Sequence, residues 1–435
     1  MFEPWARDDE YGDEVCKNGL LFVLNQSRKG LLVRLPDHPS RHLTYCMNVH
    51  PGITLDDVEA NIRTYLPPLK ERFSPDAPFG VGLRLAGQAS KDILEGERLD
   101  GFRALLDEHG LYVFTMNGFP YGPFHGEAVK GNVHLPDWHD EERLGYTFRL
   151  STILAKLLPD DIDEGSISTS PLGYKPWVDT GMPANWMVFT LNVVRVVQHL
   201  IRLREETGKL IHLDIEPEPD GVLSNGAELI AFYEKWLLKQ GVAMLADRVG
   251  NDPGLAREQI LDHVRVCFDT CHVAVSYEKP EDLLDRFAAI GIKVGKVQVS
   301  SALKVTLPED EVGRKRISKE LAAFNEPVYL HQVIQRNEDG SLEGHPDLPD
   351  ALPYINEPEA REWRLHFHVP VFVERYEAFD STQDTILETF RLLRERDVTD
   401  HLEIETYTWD VLPADMKAPL PEMISRELQW VLDHV

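Results

Sequence analysis

From His42 onward the chain changes repeatedly between two apolar periods, one of two residues and one of three to four. The period of two predicts strands over residues 43–49, 79–85, 111–117, 165–169, 210–216, 264–269, 293–300 and 401–405. The helical period predicts helices that start at Thr54 and over 90–109, 141–158, 185–207, 226–249, 280–290, 382–396 and 421–435. Punctuation supports these limits: Thr54 stands as N-cap ahead of Asp56 and Asp57, Gly110 and Gly208 follow two helix ends, and Pro159 follows a third. Strand and helix alternating eight times in one run predict a (β/α)8 barrel rather than an open doubly wound sheet.

Two stretches stand outside the alternation. Residues 1–41 form an N-terminal extension, in which 20–24 and 31–35 are expected to pair as a hairpin across 25–30. The barrel domain then runs over 42–435, with an insertion at 302–364 before the last helix-strand unit. That insertion holds an extra strand at 328–334 and a Gly/Asp/Pro-rich stretch at 337–353, and it is expected to cover the barrel mouth.

Parity then selects residues. In 263–272, Val264, Val266 and Phe268 alternate with Arg265, Cys267 and Asp269, so Asp269 sits at a strand's carboxyl end with His272 about one turn beyond. The same reading turns His212, Asp214 and Glu216 inward on strand five, Lys296, Gln298 and Ser300 on strand seven, and Glu403 and Glu405 on strand eight. On strand one Asn48 and His50 share a face, and strand three ends at Asn117. Barrel chemistry is done where such tips meet. Buried carboxylates are costly unless paired or metal-bound, so Glu216, Asp269, Gln298 and Glu405 are expected to form an oxygen-rich cage for a divalent ion, Mn, Mg or Zn. The alternative for the same carboxylates is pairing with inward Lys296, Arg265 and Arg84. His366 and His368 share a strand face near the same mouth, His368 as a metal ligand or substrate contact. The aromatic loop after Asn117, with Phe119 and Tyr121, is expected to wall a ligand.

Composition narrows the partners. Lys plus Arg number 45 against 73 Asp plus Glu, a formal net charge of −28, and such a surface repels a phosphate backbone, so nucleic acid is not an expected partner. No apolar run is long enough for membrane insertion, and the acidic first residues are the opposite of a secretory leader, so a cytoplasmic location is expected. Four cysteines with no Cys-x-x-Cys are read as buried thiols.

Glu at the end of strand five, Asp-Thr-Cys-His at strand six and Glu at strand eight resemble the xylose-isomerase-like TIM-barrel superfamily, with its sugar isomerases, epimerases and endonuclease IV, over about residues 42–412. Longer strings, among them Asn48-Val-His-Pro-Gly, Asn117-Gly-Phe-Pro-Tyr-Gly and His401-Leu-Glu-Ile-Glu-Thr-Tyr-Thr-Trp, resemble metabolite-traffic proteins of the EboE type. The resemblance implies a metal site from Glu216, Asp269, the strand-seven residue and Glu405, with His272 contacting substrate or a second metal. It departs at Gln298, where the epimerases usually carry His. The expected function is a divalent-metal-dependent sugar isomerase or epimerase acting on a small polyhydroxylated or keto metabolite. Glu216 and Glu405 would exchange the proton, with His272 and Lys296 steadying the oxyanion, and Asn48, His50, Asn117, Phe119, Tyr121, His272 and His366 would bind substrate. The alternatives are a noncatalytic metabolite carrier and an endonuclease-IV-like phosphodiesterase.

Overall fold

A computed structural model describes residues 34–35, 38–124, 130–250, 252–324, 331–376, 378–407, 409 and 418–435. The hairpin expected within 20–35 lies almost wholly outside them.

Eight parallel strands make a nearly closed barrel: His38–Tyr45, Phe79–Arg84, Leu111–Asn117, Glu164–Thr169, Leu210–Ile215, Val264–Asp269, Val294–Val299 and His401–Ile404. Strand eight lies beside strand one, with His401 opposite His42 and Ile404 opposite Tyr45. Strands one and two meet at the bridge between Cys46 and Gly82. Helices alternate with the strands, and the longest, Pro183–Thr207, buries Val193, Val196, Val197, Leu200 and Leu203. It stops at Gly208, whose φ of 76° is the left-handed conformation that a side chain disfavours. Thr54 and Asp57 form a reciprocal capping box at the start of Leu55–Phe73.

Four elements differ from expectation. Strand one, expected over 43–49, ends at Tyr45, and Met47–Val49 is a 3-10 helix, so Asn48 and His50 are not strand residues. The helix expected over 90–109 is two, Gly87–Asp92 and Arg98–Glu108, with left-handed Gly96 (φ 56°) in the turn between them. The stretch 226–249 contains a π-helical segment, Tyr233–Gly241. A further helix, Pro253–His263, precedes strand six; Asp252 caps it, but its buried apolar residues are only Ala256, Ile260 and Leu261, too thin a stripe to read from periodicity.

The insertion folds as an antiparallel sheet built from Ser301–Thr306, Val333–Asn337, Leu342–His345, Ala360–Val369 and Asp380–Ser381. It therefore runs past residue 364. It has its own apolar core, in which Leu303, Val305, Val333, Trp363, Leu365 and Phe367 are buried. On Ala360–Val369 the alternate residues His366 and His368 face away from that core and toward the barrel.

Candidate metal centre

Asp269 ends strand six and caps the helix Thr270–Val275. Its Oδ1 accepts the His272 backbone N–H at 3.0 Å and the Ser300 hydroxyl at 2.7 Å. Its Oδ2 is buried without a hydrogen-bond partner. Glu216 follows strand five, and its Oε2 is likewise buried without one. Glu405 follows strand eight; its Oε1 accepts from Asn48 Nδ2 at 3.2 Å and from the Cys46 thiol at 3.6 Å. One oxygen from each carboxylate lies within 4.8 Å of the other two.

Such a cluster is unfavourable by itself, since burial and like charge both oppose ionisation. Burial first, then the charges of Glu405, Asp269 and Glu218, push the Glu216 carboxyl well above the usual range. Burial first, then Asp269 and Glu403, does the same to Glu405. Among the described residues no lysine or arginine pairs with these three acids. A hard divalent cation fits: it would satisfy the orphaned oxygens and reverse the repulsion, and carboxylate oxygen is its preferred donor.

Three histidines stand beside the acids. His272 Nε2 lies 3.0 Å from His366 Nε2, which lies 3.2 Å from His368 Nε2, and the third side of the triangle is 3.4 Å. Each Nδ1 is turned to an oxygen: Pro217 O at 3.0 Å, Gln332 Oε1 at 2.8 Å and Glu405 O at 2.9 Å, respectively. Burial, then the neighbouring imidazoles, holds His272 and His366 well below the ordinary histidine range, and burial lowers His368 too. All three are neutral, as metal ligands must be.

Glu216, Glu405, the three histidines, Asn48 and Phe119 line one cleft of about 600 Å³, counted to its open mouth. The structure does not bring the remaining expected residues to it. Lys296 is fully buried, its ammonium 2.6 Å from Glu403 Oε2 and 3.1 Å from Asn117 Oδ1, so it neutralises a barrel-interior acid instead of steadying an oxyanion. Asn117 donates to Glu403 Oε1 at 2.8 Å and accepts from Ser168, so it belongs to the same interior network and does not line the cleft. Gln298 is a correction to the expected cage: its carbonyl oxygen accepts the Cys267 thiol at 2.9 Å and its amide nitrogen faces Asn117. His50 bonds Tyr45 through Nε2 at 2.8 Å and stacks on Tyr65 at 4.2 Å. Tyr121 turns outward, its hydroxyl donating to Glu142 at 2.8 Å and its ring packed on Tyr146. The alternative pairing holds for other acids, with Lys296 taking Glu403 and Arg265 taking Glu164, whereas Arg84 bonds backbone carbonyls.

Cleft residues that escaped the sequence reading include Lys130, His134, Glu218, Gln332 and Tyr407. Glu218 had a signal, because it shares Glu216's parity two residues on. Burial first, then Asp269, pushes its carboxyl up to about 8. His134, whose Nδ1 is 3.3 Å from Glu218 Oε1, is pushed down to about 3 by burial. His134 ends the short 3-10 helix Lys130–His134 and Gln332 lies in the inserted segment, where no period marks a direction.

No family model matches this chain, and no curated protein matches its sequence. Among solved structures it is similar to a xylose isomerase-like TIM barrel protein from Mycobacterium smegmatis in complex with magnesium, at 11% identity over 92% of each chain with a TM-score of 0.44. It is also similar to the IOLI protein with a binding zinc atom, at 9% identity over 90% of this chain and 99% of that one, TM-score 0.43. A third is an AP endonuclease of family 2 from Brucella melitensis, at 14% identity over 60% of this chain and 79% of that one, TM-score 0.35.

Proposed function

We propose that the chain is a divalent-metal-dependent isomerase or epimerase of a small polyhydroxylated or keto metabolite. The observation that carries this reading is the convergence of Glu216, Asp269 and Glu405 from three strand tips, with Glu216 Oε2 and Asp269 Oδ2 buried and unpartnered. Glu216, Asp269 and Glu405 would hold the ion, which when bound supplies positive charge for negative charge that develops on adjacent substrate oxygens. Glu216 and Glu405 stand on different strand tips, with one oxygen of each within 4.8 Å of the other. One carboxylate takes the proton alpha to the substrate carbonyl, leaving an enediolate, and the other, protonated at the outset, returns a proton either to the opposite face of the same carbon, which epimerises it, or to the former carbonyl carbon while the hydroxyl proton passes from the second oxygen to the first, which isomerises it. Asn48 holds Glu405 in place through its 3.2 Å hydrogen bond, and Phe119 and Tyr407 give the cleft an aromatic lining. His272, without Lys296, remains the group beside the developing oxyanion. The sequence resemblance to EboE-type metabolite-traffic proteins supports a small metabolite as substrate.

The test is solvent-deuterium incorporation by full-length protein stripped with EDTA, reloaded with Mn, Mg or Zn, and offered a panel of aldoses and ketoses. Glu216→Gln is expected to reduce metal content and to lower exchange by about 10²–10⁴-fold, the usual worth of a positioned acid or base. Protein that binds no divalent ion, with Glu216→Gln unchanged in exchange, would remove the reading. One observation favours a noncatalytic carrier instead: Gln298 offers the acids no ligand because its carbonyl is taken by Cys267. Tight binding of a panel member with no exchange in any would decide for that role.

A further inference from the structure

A barrel does its chemistry at the carboxyl ends of its strands, and the opposite end has only to close. Here it does not close. At the amino ends of strands one, four and eight lies a cavity of about 580 Å³, counted to its opening, which is within the range of small-molecule sites. Asp161, Asp163, Glu164, Asp400, His42 and His401 line it, and among the described residues no lysine or arginine does. Arg265 pairs with Glu164 at 2.7 and 3.1 Å. Lys209 stands 3.5 Å from Asp163, its ammonium held by the carbonyls of Pro159, Asp160 and Ile162. Asp400 accepts the Ser40 hydroxyl at 2.9 Å.

An acidic rim by itself could be a solvated surface, but His401 adds a second observation. It is 2% exposed, and its Nδ1 lies 2.8 Å from Ser166 Oγ. Ser166 has one hydroxyl proton and donates it to Thr115 Oγ1 at 2.7 Å, so toward His401 it can only accept. The His401 proton is therefore on Nδ1, and Nε2 keeps a lone pair. Burial first, then His212 and His42, holds this imidazole well below the ordinary histidine range, so the ring is neutral. Among the described residues no donor meets Nε2, and the cavity is the space that the residue borders. A buried acceptor left without a donor is costly, and an N–H from an occupant would satisfy it.

The placement of the acceptors selects the occupant. Among the described residues no three carboxylate or imidazole donors converge at this end as Glu216, Asp269 and Glu405 do at the other, so a compact metal ion has no cage. The acids stand apart instead. Asp161 and Asp163 precede strand four, Asp400 precedes strand eight, and those strands lie opposite each other in the ring. Negative charge on two sides of one opening suits a molecule with a cation at each end, and an ammonium brings three N–H donors to each.

We infer that the amino end of the barrel binds a linear aliphatic diamine or polyamine, one ammonium meeting Asp161 and Asp163 and the other meeting Asp400 and His401 Nε2. The site is separate from the proposed reaction: amine bound here with no sugar turned over would sustain this inference and leave that one to its own test.

The experiment is calorimetric titration of full-length protein with putrescine and with spermidine, joined to hydrogen exchange on the same mixtures. One saturable site is expected, with slower exchange at 38–45, 160–166 and 399–402 and no change at the cleft. Asp400→Asn and His401→Phe are each expected to weaken binding about tenfold or more, the worth of one charge-assisted hydrogen bond, and Asp161→Asn with Asp163→Asn to do the same. Glu216→Gln, at the other end of the barrel, is expected to bind as wild type does. Tetramethylammonium carries the charge without an N–H and is expected not to compete at equal concentration. The exchange footprint is read on wild type and needs no variant. No saturable binding at millimolar amine, protection at the cleft instead of the amino end, affinity lost in Glu216→Gln but kept in Asp400→Asn, or displacement by tetramethylammonium would each overturn the inference.

Discussion

Lys296 and Glu403 show what a single residue's parity says and what it leaves unsaid. Both face the barrel interior, as alternation along strands seven and eight predicts, and both are fully buried in a 2.6 Å ion pair. Parity assigns a face but not a depth, and depth separates an interior ion pair from a cleft acid. Glu403 and Glu405 are two residues apart with the same parity; one meets an ammonium and the other meets Asn48 and two more carboxylates. Chain chemistry alone treats them as equal. Removing one partner of a buried pair strands the other charge, so Lys296→Met is expected to cost about 3–5 kcal/mol in denaturant unfolding, and Lys296→Met with Glu403→Leu much less. A single variant within about 1 kcal/mol of wild type would show that the pair carries no such charge penalty. Asp269 divides its two oxygens: one caps the next helix and the other is buried without a hydrogen-bond partner.

At the scale of elements, most barrel strands and many helices were readable because each buries one face and keeps one period. The inserted sheet was not, since its dense antiparallel pairing is set by turns and by docking, which a single strand's alternation does not encode. Hence the histidine triangle, which joins a helix after strand six to the inserted strand Ala360–Val369, was seen in the sequence only as separate candidates. Arg314 ties the insertion together, donating to Pro308 O at 2.6 Å, Ile355 O at 2.8 Å, Glu357 O at 2.6 Å and Ala360 O at 2.8 Å. Arg314→Ala removes these four hydrogen bonds. It should speed hydrogen exchange across 301–306 and 360–369 while amides of the barrel strands stay protected, and equal acceleration in both would contradict two separately cored units. Gly82 matters to the barrel for another reason: a Cβ there would overlap the Glu403 carboxylate and come within 2.6 Å of Tyr45 O. Gly82→Ala is expected to destabilise by about 1–3 kcal/mol, measured by thermal or denaturant melting.

Across the whole molecule, buried titratable groups set how stability varies with pH. Glu218 and Glu427 are pushed up to about 8 by burial, from an ordinary value of 4.5, and Glu216 and Glu405 stand well above it. The folded chain then holds protons that the unfolded chain has released, so their contribution falls as pH rises from about 4.5 through those raised values. His263 and His331, pushed down to about 4, act oppositely: their contribution is full above 6.5 and is lost as pH falls. Above pH 6.5 these histidines no longer contribute a slope, and the raised acids act together with the buried thiols of Cys46, Cys267 and Cys271, which burial also pushes up. The metal-free protein is therefore expected to melt lower at pH 8.5 than at pH 7, and a bound divalent ion to shrink that difference by favouring ionised Glu216 and Glu405. Glu427, hydrogen-bonded to Thr406 and Val371 and no member of the three-carboxylate cluster, keeps a residual slope in the loaded protein. An identical slope with and without metal would separate the ion from these carboxylates. No described helix is long and apolar enough to cross a membrane.

The most direct measurement is anomalous diffraction from crystals of the manganese-loaded protein at the cleft. The account predicts a peak at about 2.0–2.6 Å from one oxygen each of Glu216, Asp269 and Glu405. Three carboxylates turned away from one another, with no ion between them, would contradict it.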